Sequence, residues 1–191
     1  MNQRLVWNFE FAPSAIPLPH GVFIEQETES LKWEIRLFWP DDQIIVLNTI
    51  DSTLLDLANY QQKHREDYYY LLSDNDSNIK RRHDELYYKP LVKRASEALG
   101  FGAKVKIDSL PGDQKKGGTE IYVKKEAMIY KFPTNPTIKL ELARLEVLNK
   151  IYFSICIEGK SLILVEKIAE LLLDKPISCD YITFLKNILQ S

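Results

Sequence analysis

The residues best suited to chemistry in this chain are cations at alternate positions. The stretch Asn78-Ile-Lys-Arg-Arg-His-Asp-Glu-Leu-Tyr-Tyr-Lys89 reads as two short strands, with the turn around His83, Asp84 and Glu85. A further strand precedes them from Arg65. Period-two alternation puts Lys80 and Arg82 on one face and Ile79 on the other, and Lys89 can join the two cations across the ladder. Cations gathered on one sheet face are tolerable where that face is wet or holds an anion. They are hard to place in a core.

Other candidate chemistry is sparse. His20, His64 and His83 have no metal-ligand spacing, and Cys156 and Cys179 form neither a disulfide framework nor a ligand pair. Gly117-Gly118 lacks the rest of a phosphate-binding glycine loop. Asp67 reads as a residue that fixes a strand end, and Cys156 as a small inward side chain.

The elements that must position the cations follow from the same periodicity. In residues 3–11, Leu5, Trp7, Phe9 and Phe11 share one face and Arg4, Val6, Asn8 and Glu10 the other, the pattern of a half-buried strand. Pro13, Pro17 and Pro19 then interrupt it. This predicts an N-terminal arm over residues 1–30, either folded onto its own domain or offering residues 3–11 as a homodimer contact. Residues 31–191 form the main domain. Its first strand covers residues 31–39, with Lys32, Glu34 and Arg36 opposite Leu31, Trp33, Ile35, Leu37 and Trp39. Residues 44–50 fit a short strand or a helix start. The spacing predicts a helix over 52–62 capped by Asp51 or Ser52, and a short helix over 93–99 stopped by Gly100 and Gly102.

Residues 103–107 alternate again, and 110–118 read as a solvated connector. Strands are expected over 119–132, 137–148 and 152–158, with Glu120, Tyr122 and Lys124, then Lys139 and Glu141, then Ser154, Cys156 and Glu158 on their polar faces. Two helices finish the chain. Ser161 caps one with a stripe of Leu162, Val165, Ile168, Ala169 and Leu172, and Asp180 caps one with Tyr181, Phe184, Leu185 and Ile188 inside.

Composition bounds what these elements can build. The chain has 191 residues, 45% hydrophobic and 27% charged, enough apolar material for a real core. A net charge of −2 excludes a general nucleic-acid surface. No apolar run approaches the roughly 20 residues of a membrane span. The N-terminal residues show no secretory pattern. Two thiols without a framework suit a reducing cytoplasm.

The charge is nonetheless concentrated. The polar phases of the strands carry Lys32, Arg36, Lys80, Arg82, Lys89, Lys104, Lys106, Lys124 and Lys139 against Glu34, Glu120, Glu141 and Glu158, a surplus of five cations in an acidic chain. An antiparallel sheet with one solvated face gives the same alternation. The richness in charge, and two helices whose apolar stripes need covering, favour an α+β fold. We expect an antiparallel β-barrel or tunnel with a polar interior and helices packed outside. Cations lining such a space repel one another. An anion of high charge density relieves that repulsion, and polyphosphates fit.

This pattern resembles the CYTH superfamily, the triphosphate tunnel metalloenzymes, over residues 32–158. The resemblance rests on Asp67-x-Tyr69, Ile79-Lys80-Arg81-Arg82, Tyr87-Tyr88-Lys89, Ile138-Lys-Leu-Glu-Leu142 and Ile155-Cys-Ile-Glu158. It implies a triphosphate-containing small molecule as partner, held by Lys32, Arg36, Lys80, Arg82, Lys89, Lys124 and Lys139. It further implies Mg²⁺ or Mn²⁺ on Glu34, Glu141 and Glu158, and metal-dependent hydrolysis of an inorganic or organic triphosphate. One departure stands out. The family's first strand reads Glu-x-Glu-x-Lys, whereas here it reads Lys32-Trp-Glu34-Ile-Arg36, which puts an ammonium where a divalent ion wants oxygen. Two other functions fit the residues: an anion- or nucleotide-binding module without turnover, and an interaction domain whose charged strand faces are merely wet.

Overall fold

Two long strands form the spine of the molecule, a computed structural model that describes residues 1–15, 27–72, 77–111, 118–174 and 178–191. Pro17, Pro19, His20, Pro176 and positions 112–117 of the expected connector lie outside the described residues. The early strands are β1 (Gln3–Val6), β2 (Phe9–Ala15), β3 (Lys32–Pro40), β4 (Ile45–Thr49) and β5 (Tyr60–Leu71). The charged hairpin is β6 (Asn78–Arg82) and β7 (Glu85–Lys89), with His83 at φ 52° in its turn. Then come β8 (Leu91–Ala95), β9 (Ala98–Phe101), β10 (Val105–Ile107), β11 (Thr119–Lys131), β12 (Lys139–Val147) and β13 (Lys150–Gly159). The helices α1 (Leu162–Leu172) and α2 (Tyr181–Gln190) follow.

Ten strands make one antiparallel sheet in the order β10-β7-β6-β5-β11-β12-β13-β3-β9-β8. Strands β5 and β11 pair from Thr119↔Leu71 to Tyr130↔Tyr60 at its centre. The sheet is rolled. Strands β7 and β3 stand six strand spacings apart in the hydrogen-bonded order, about 29 Å on a flat sheet. Yet Lys89 Nζ lies 3.1 Å from Glu34 Oε2. No backbone ladder joins β10 to β8, so the expected barrel is corrected to a sheet closed by side chains and connectors. At the seam the chain crosses through Pro90 and recrosses through Gly102, whose N–H donates to the Pro90 carbonyl at 3.0 Å. A Cβ on Gly102 would meet Pro90 Cγ at 3.0 Å, a tight contact that the proline ring would have to relieve.

Both faces of the sheet are apolar, at opposite ends. Outside, Trp33, Ile35, Leu140, Leu142, Ile155 and Ile157 pack against Leu164, Val165, Ile168, Ala169 and Leu172 of α1. Inside, Tyr69, Leu71, Ile121, Val123, Ala143, Leu145 and Val147 pack against Tyr181, Ile182, Phe184 and Leu185 of α2. The side chains of Ser161 and Asp180 cap these helices by accepting from Leu164 N and Thr183 N. The second helix therefore corrects the expectation that both helices pack outside: α2 sits on the concave face beside the polar part of the interior.

Neither of two expected helices forms. Over 52–62, Asp51 and Asp56 accept from Thr53 N and Ala58 N, which closes single 3-10 turns (Ser52–Leu55 and Leu57–Asn59) before β5 begins. Over 93–99 the chain forms the β8–β9 hairpin, turned at Ser96 with φ 49°. Gly100 is a strand residue rather than a helix stop. Its missing Cβ would lie 2.9 Å from Cζ3 of Trp33, so only glycine lets β9 lie against that indole. The N-terminal pair β1–β2 joins β4 in a small separate sheet. It buries Phe9 and Phe11 in the outer core, Phe9 edge-on to Phe153 at 5.9 Å, and leaves Leu5 and Trp7 partly buried.

Candidate functional site

The polar end of the concave face encloses a cavity of about 470 Å³, lined by eleven lysines and arginines and three glutamates. Strand alternation points these side chains inward, and register sets them in rows. Glu141, Cys156 and Arg36 stand side by side across β12, β13 and β3, and Lys139, Glu158 and Glu34 form the next row.

On this wall every carboxylate is paired. Glu141 accepts from Lys125 Nζ at 2.8 Å and from Arg36 Nη1 at 3.2 Å. Glu34 accepts from Lys89 Nζ at 3.1 Å, with Arg36 Nε 3.7 Å away. Glu158 meets Lys32 Nζ at 2.7 Å. Burial pushes the Glu141 and Glu34 carboxyls up, but the neighbouring cations outweigh it. Lys125 and Arg36 hold Glu141 far below the usual carboxylate range, and Lys89 and Arg36 lower Glu34. Burial likewise opposes the charge on Lys32, and Glu158 raises it. Cys156 is fully buried between these groups, and burial pushes its thiol well up.

The opposite wall comes from β5 and the β6–β7 hairpin. Asp67 is its buried carboxylate. It accepts from Arg82 Nε and Nη2, both at 2.7 Å, and from Lys80 Nζ at 2.9 Å. Burial raises the Asp67 carboxyl, and the bonds from Arg82 and Lys80 more than reverse that. Lys80 goes the other way. Burial and the nearby Arg82 and Lys125 charges outweigh Asp67 and bring its amine down to about 7. Lys63, Arg65 and Lys139 also line the cavity, and none of them makes an ion pair among the described residues. Their crowding is visible in Lys63, whose pKa falls through partial burial and then the charges of Arg65, Lys139 and Lys131. Tyr181 of α2 closes one end, its ring 4.8 Å from Tyr69 and 5.2 Å from the Arg36 guanidinium.

Six of the seven cations expected from the sequence line this cavity: Lys32, Arg36, Lys80, Arg82, Lys89 and Lys139. Lys124 does not. It is exposed, across the ladder from Glu146, and Lys125 takes the inward place. The cause is α2: at this end of β11 the apolar phase faces inward to meet that helix, so the polar phase faces out. Sequence reasoning missed Lys63, Arg65, Lys125, Lys160, Tyr69 and Tyr181. The alternation Lys63-x-Arg65-x-Asp67-x-Tyr69 carries the signal for three of them, but a strand read only from Arg65 leaves Lys63 out and assigns no inward face to the rest.

The three glutamates expected to hold a metal do not gather as one set. Glu34 and Glu158 group with Cys156, ligand atoms within 4.8 Å of one another, while Glu141 belongs to Lys125 and Arg36. This acidic cluster does not fit Mg²⁺ or Mn²⁺. Such ions take oxygen donors, and here one donor is a thiol held protonated by burial while both carboxylates already carry an ammonium.

A rolled antiparallel sheet with two helices and a cation-lined interior defines an α+β architecture. No family model and no curated protein matches the chain. Among solved structures, it is similar to an adenylyl cyclase homologue from Hippeastrum described as having a dominant triphosphatase activity. That likeness has 12% identity and a TM-score of 0.45, covering 73% of this chain and 84% of the other. It is also similar to a chain from Bacillus halodurans assigned as an adenylate cyclase. Here the identity is 10% and the TM-score 0.43, over 84% of this chain and 90% of the other.

Proposed function

We propose that the cavity binds a triphosphate-containing small molecule, inorganic or organic. The observation that carries this reading is the trio Lys63, Arg65 and Lys139, which line the cavity and make no ion pair among the described residues. Two unit charges about 4 Å apart interact by about 4 kcal/mol at the effective dielectric of a partly wet protein. Cations held close together therefore destabilise one another until an anion joins them. Condensed phosphate supplies several negative oxygens in a short length, and lysine and arginine are the side chains that grip them. The paired cations Lys80, Arg82 and Lys89 lie around the trio and can turn from their carboxylates to a ligand.

Binding without turnover is the simplest form of this function. Turnover is the second reading, and the cation-rich lining favours it. The surrounding lysines and arginines would offset charge developing on the transferred phosphoryl group.

Calorimetry with tripolyphosphate, ATP and pyrophosphate tests the assignment. Binding of tripolyphosphate is expected, and Arg65→Ala should weaken it about tenfold or more. Absence of binding by all three phosphates would sink the reading. An unchanged affinity in Arg65→Ala removes the unpaired trio as its basis. Release of orthophosphate distinguishes turnover from binding alone.

A further inference from the structure

We infer that the cavity takes its polyphosphate free of any divalent ion, with the ammonium groups of Lys32 and Lys89 occupying the role of that ion beside Glu158 and Glu34. The inference rests on the reading of the cavity as a polyphosphate site.

The argument starts from the donor atoms. The one group of possible metal ligands found among the described residues is Glu34, Cys156 and Glu158. Lys32 Nζ stands 2.7 Å from Glu158, and Lys89 Nζ stands 3.1 Å from Glu34. These ammoniums come from different strands, β3 and β7, and approach the cluster from the two sides of the rolled sheet. Both carboxylates are thus neutralised at hydrogen-bond length. The third donor, Cys156, is a fully buried soft sulfur, whereas Mg²⁺ and Mn²⁺ take oxygen donors. An incoming divalent ion would have to displace two ammoniums, next to the Arg36 guanidinium.

Charge balance agrees. Glu34 and Glu158 against Lys32 and Lys89 sum to zero, which a divalent ion would upset by two positive charges. The lining outside these pairs is already in cationic excess. A free polyphosphate satisfies that excess better than its metal complex, which carries two fewer negative charges.

The test is calorimetric titration of the full chain with tripolyphosphate, first in EDTA and then in excess Mg²⁺. Binding in EDTA is expected, and excess Mg²⁺ should weaken it by about tenfold or more, because the ion captures the free ligand. Tighter binding in Mg²⁺ than in EDTA would overturn this inference and leave the polyphosphate reading intact. No binding in either buffer overturns both. A second measurement follows Mn²⁺ alone by its paramagnetic resonance signal. The native chain should leave the ion free. Lys32→Glu, which removes the ammonium and adds an oxygen donor, should bind it at least about tenfold more tightly. Mn²⁺ binding by the native chain equal to that of Lys32→Glu also overturns the inference.

Discussion

The two walls of the cavity solve opposite problems. The β12–β13–β3 wall carries three carboxylates, Glu141, Glu158 and Glu34, and each is matched by a lysine or by Arg36 at close range. The β5–β6 wall sets Lys63, Arg65, Lys80 and Arg82 around the single buried carboxylate Asp67. Burial there is paired with excess charge. The carboxylates of the first wall are all matched without a ligand, though its Lys139 is not, whereas the second wall carries more cations than its one buried carboxylate can match. Side chains of the first should therefore govern stability, and the unpaired cations should govern binding.

The largest expected effect breaks the wall of matched carboxylates. Glu141→Ala leaves Arg36 and Lys125 buried without their shared partner, and breaking a buried pair by removing one member costs about 3–5 kcal/mol. Chemical denaturation should read a loss of that size, and Arg65→Ala should leave stability unchanged or improve it. If both variants lose stability equally, the division of labour between the walls fails. The pH dependence has a definite sign. Glu141 has a depressed carboxyl, so its contribution is fully present above the unfolded carboxylate value of about 4.3. It fades only as pH falls below that toward the folded value.

A smaller effect sharpens the same contrast on the cationic wall. The Lys80 amine is brought down to about 7, facing Asp67, Arg82, Lys125 and the ring of Tyr69. A polyanion bound against it raises that value. Below pH 7 the amine is charged in both states and affinity is at its full value. As pH rises through 7 the free protein loses the proton, binding must take one up, and affinity falls by up to about tenfold per pH unit. Titrations in two buffers of different ionisation enthalpy should show proton uptake near pH 8, and Lys80→Met should abolish it. An equal uptake in Lys80→Met would assign the proton elsewhere.

The contrast between the walls also explains how far the sequence could be read. Alternation in β3, β6 and the first half of β12 is strict, and Glu34, Arg36, Lys80, Arg82, Lys139 and Glu141 all face the cavity as their periodicity implies. What alternation alone does not say is which apolar phase meets which helix. On β12 the apolar phase changes side, from Leu140 and Leu142 outside to Ala143, Leu145 and Val147 inside, because α1 and α2 lie on opposite faces. A charged residue beyond such a crossover is therefore assigned to the wrong face. The pairings are equally invisible. Lys89 and Glu34 are 55 residues apart in the chain, and their contact depends on the roll of the whole sheet.

The smallest expected effect tests that crossover directly. Lys124 and Lys125 are neighbours of the same charge, yet Lys124 is exposed and Lys125 is 7% exposed against Glu141. Isolated surface charges contribute little to stability. Lys124→Ala should leave both the unfolding free energy and the affinity for tripolyphosphate within about 0.5 kcal/mol of the native values. Lys125→Ala removes the ammonium that Glu141 needs and should lower both. An inverted result, with Lys124→Ala weakening the ligand and Lys125→Ala silent, would mean that β11 presents its polar phase to the cavity. The apolar residues Ile121 and Val123 would then have to leave α2 for water, and that cost of burial lost makes the inversion physically expensive.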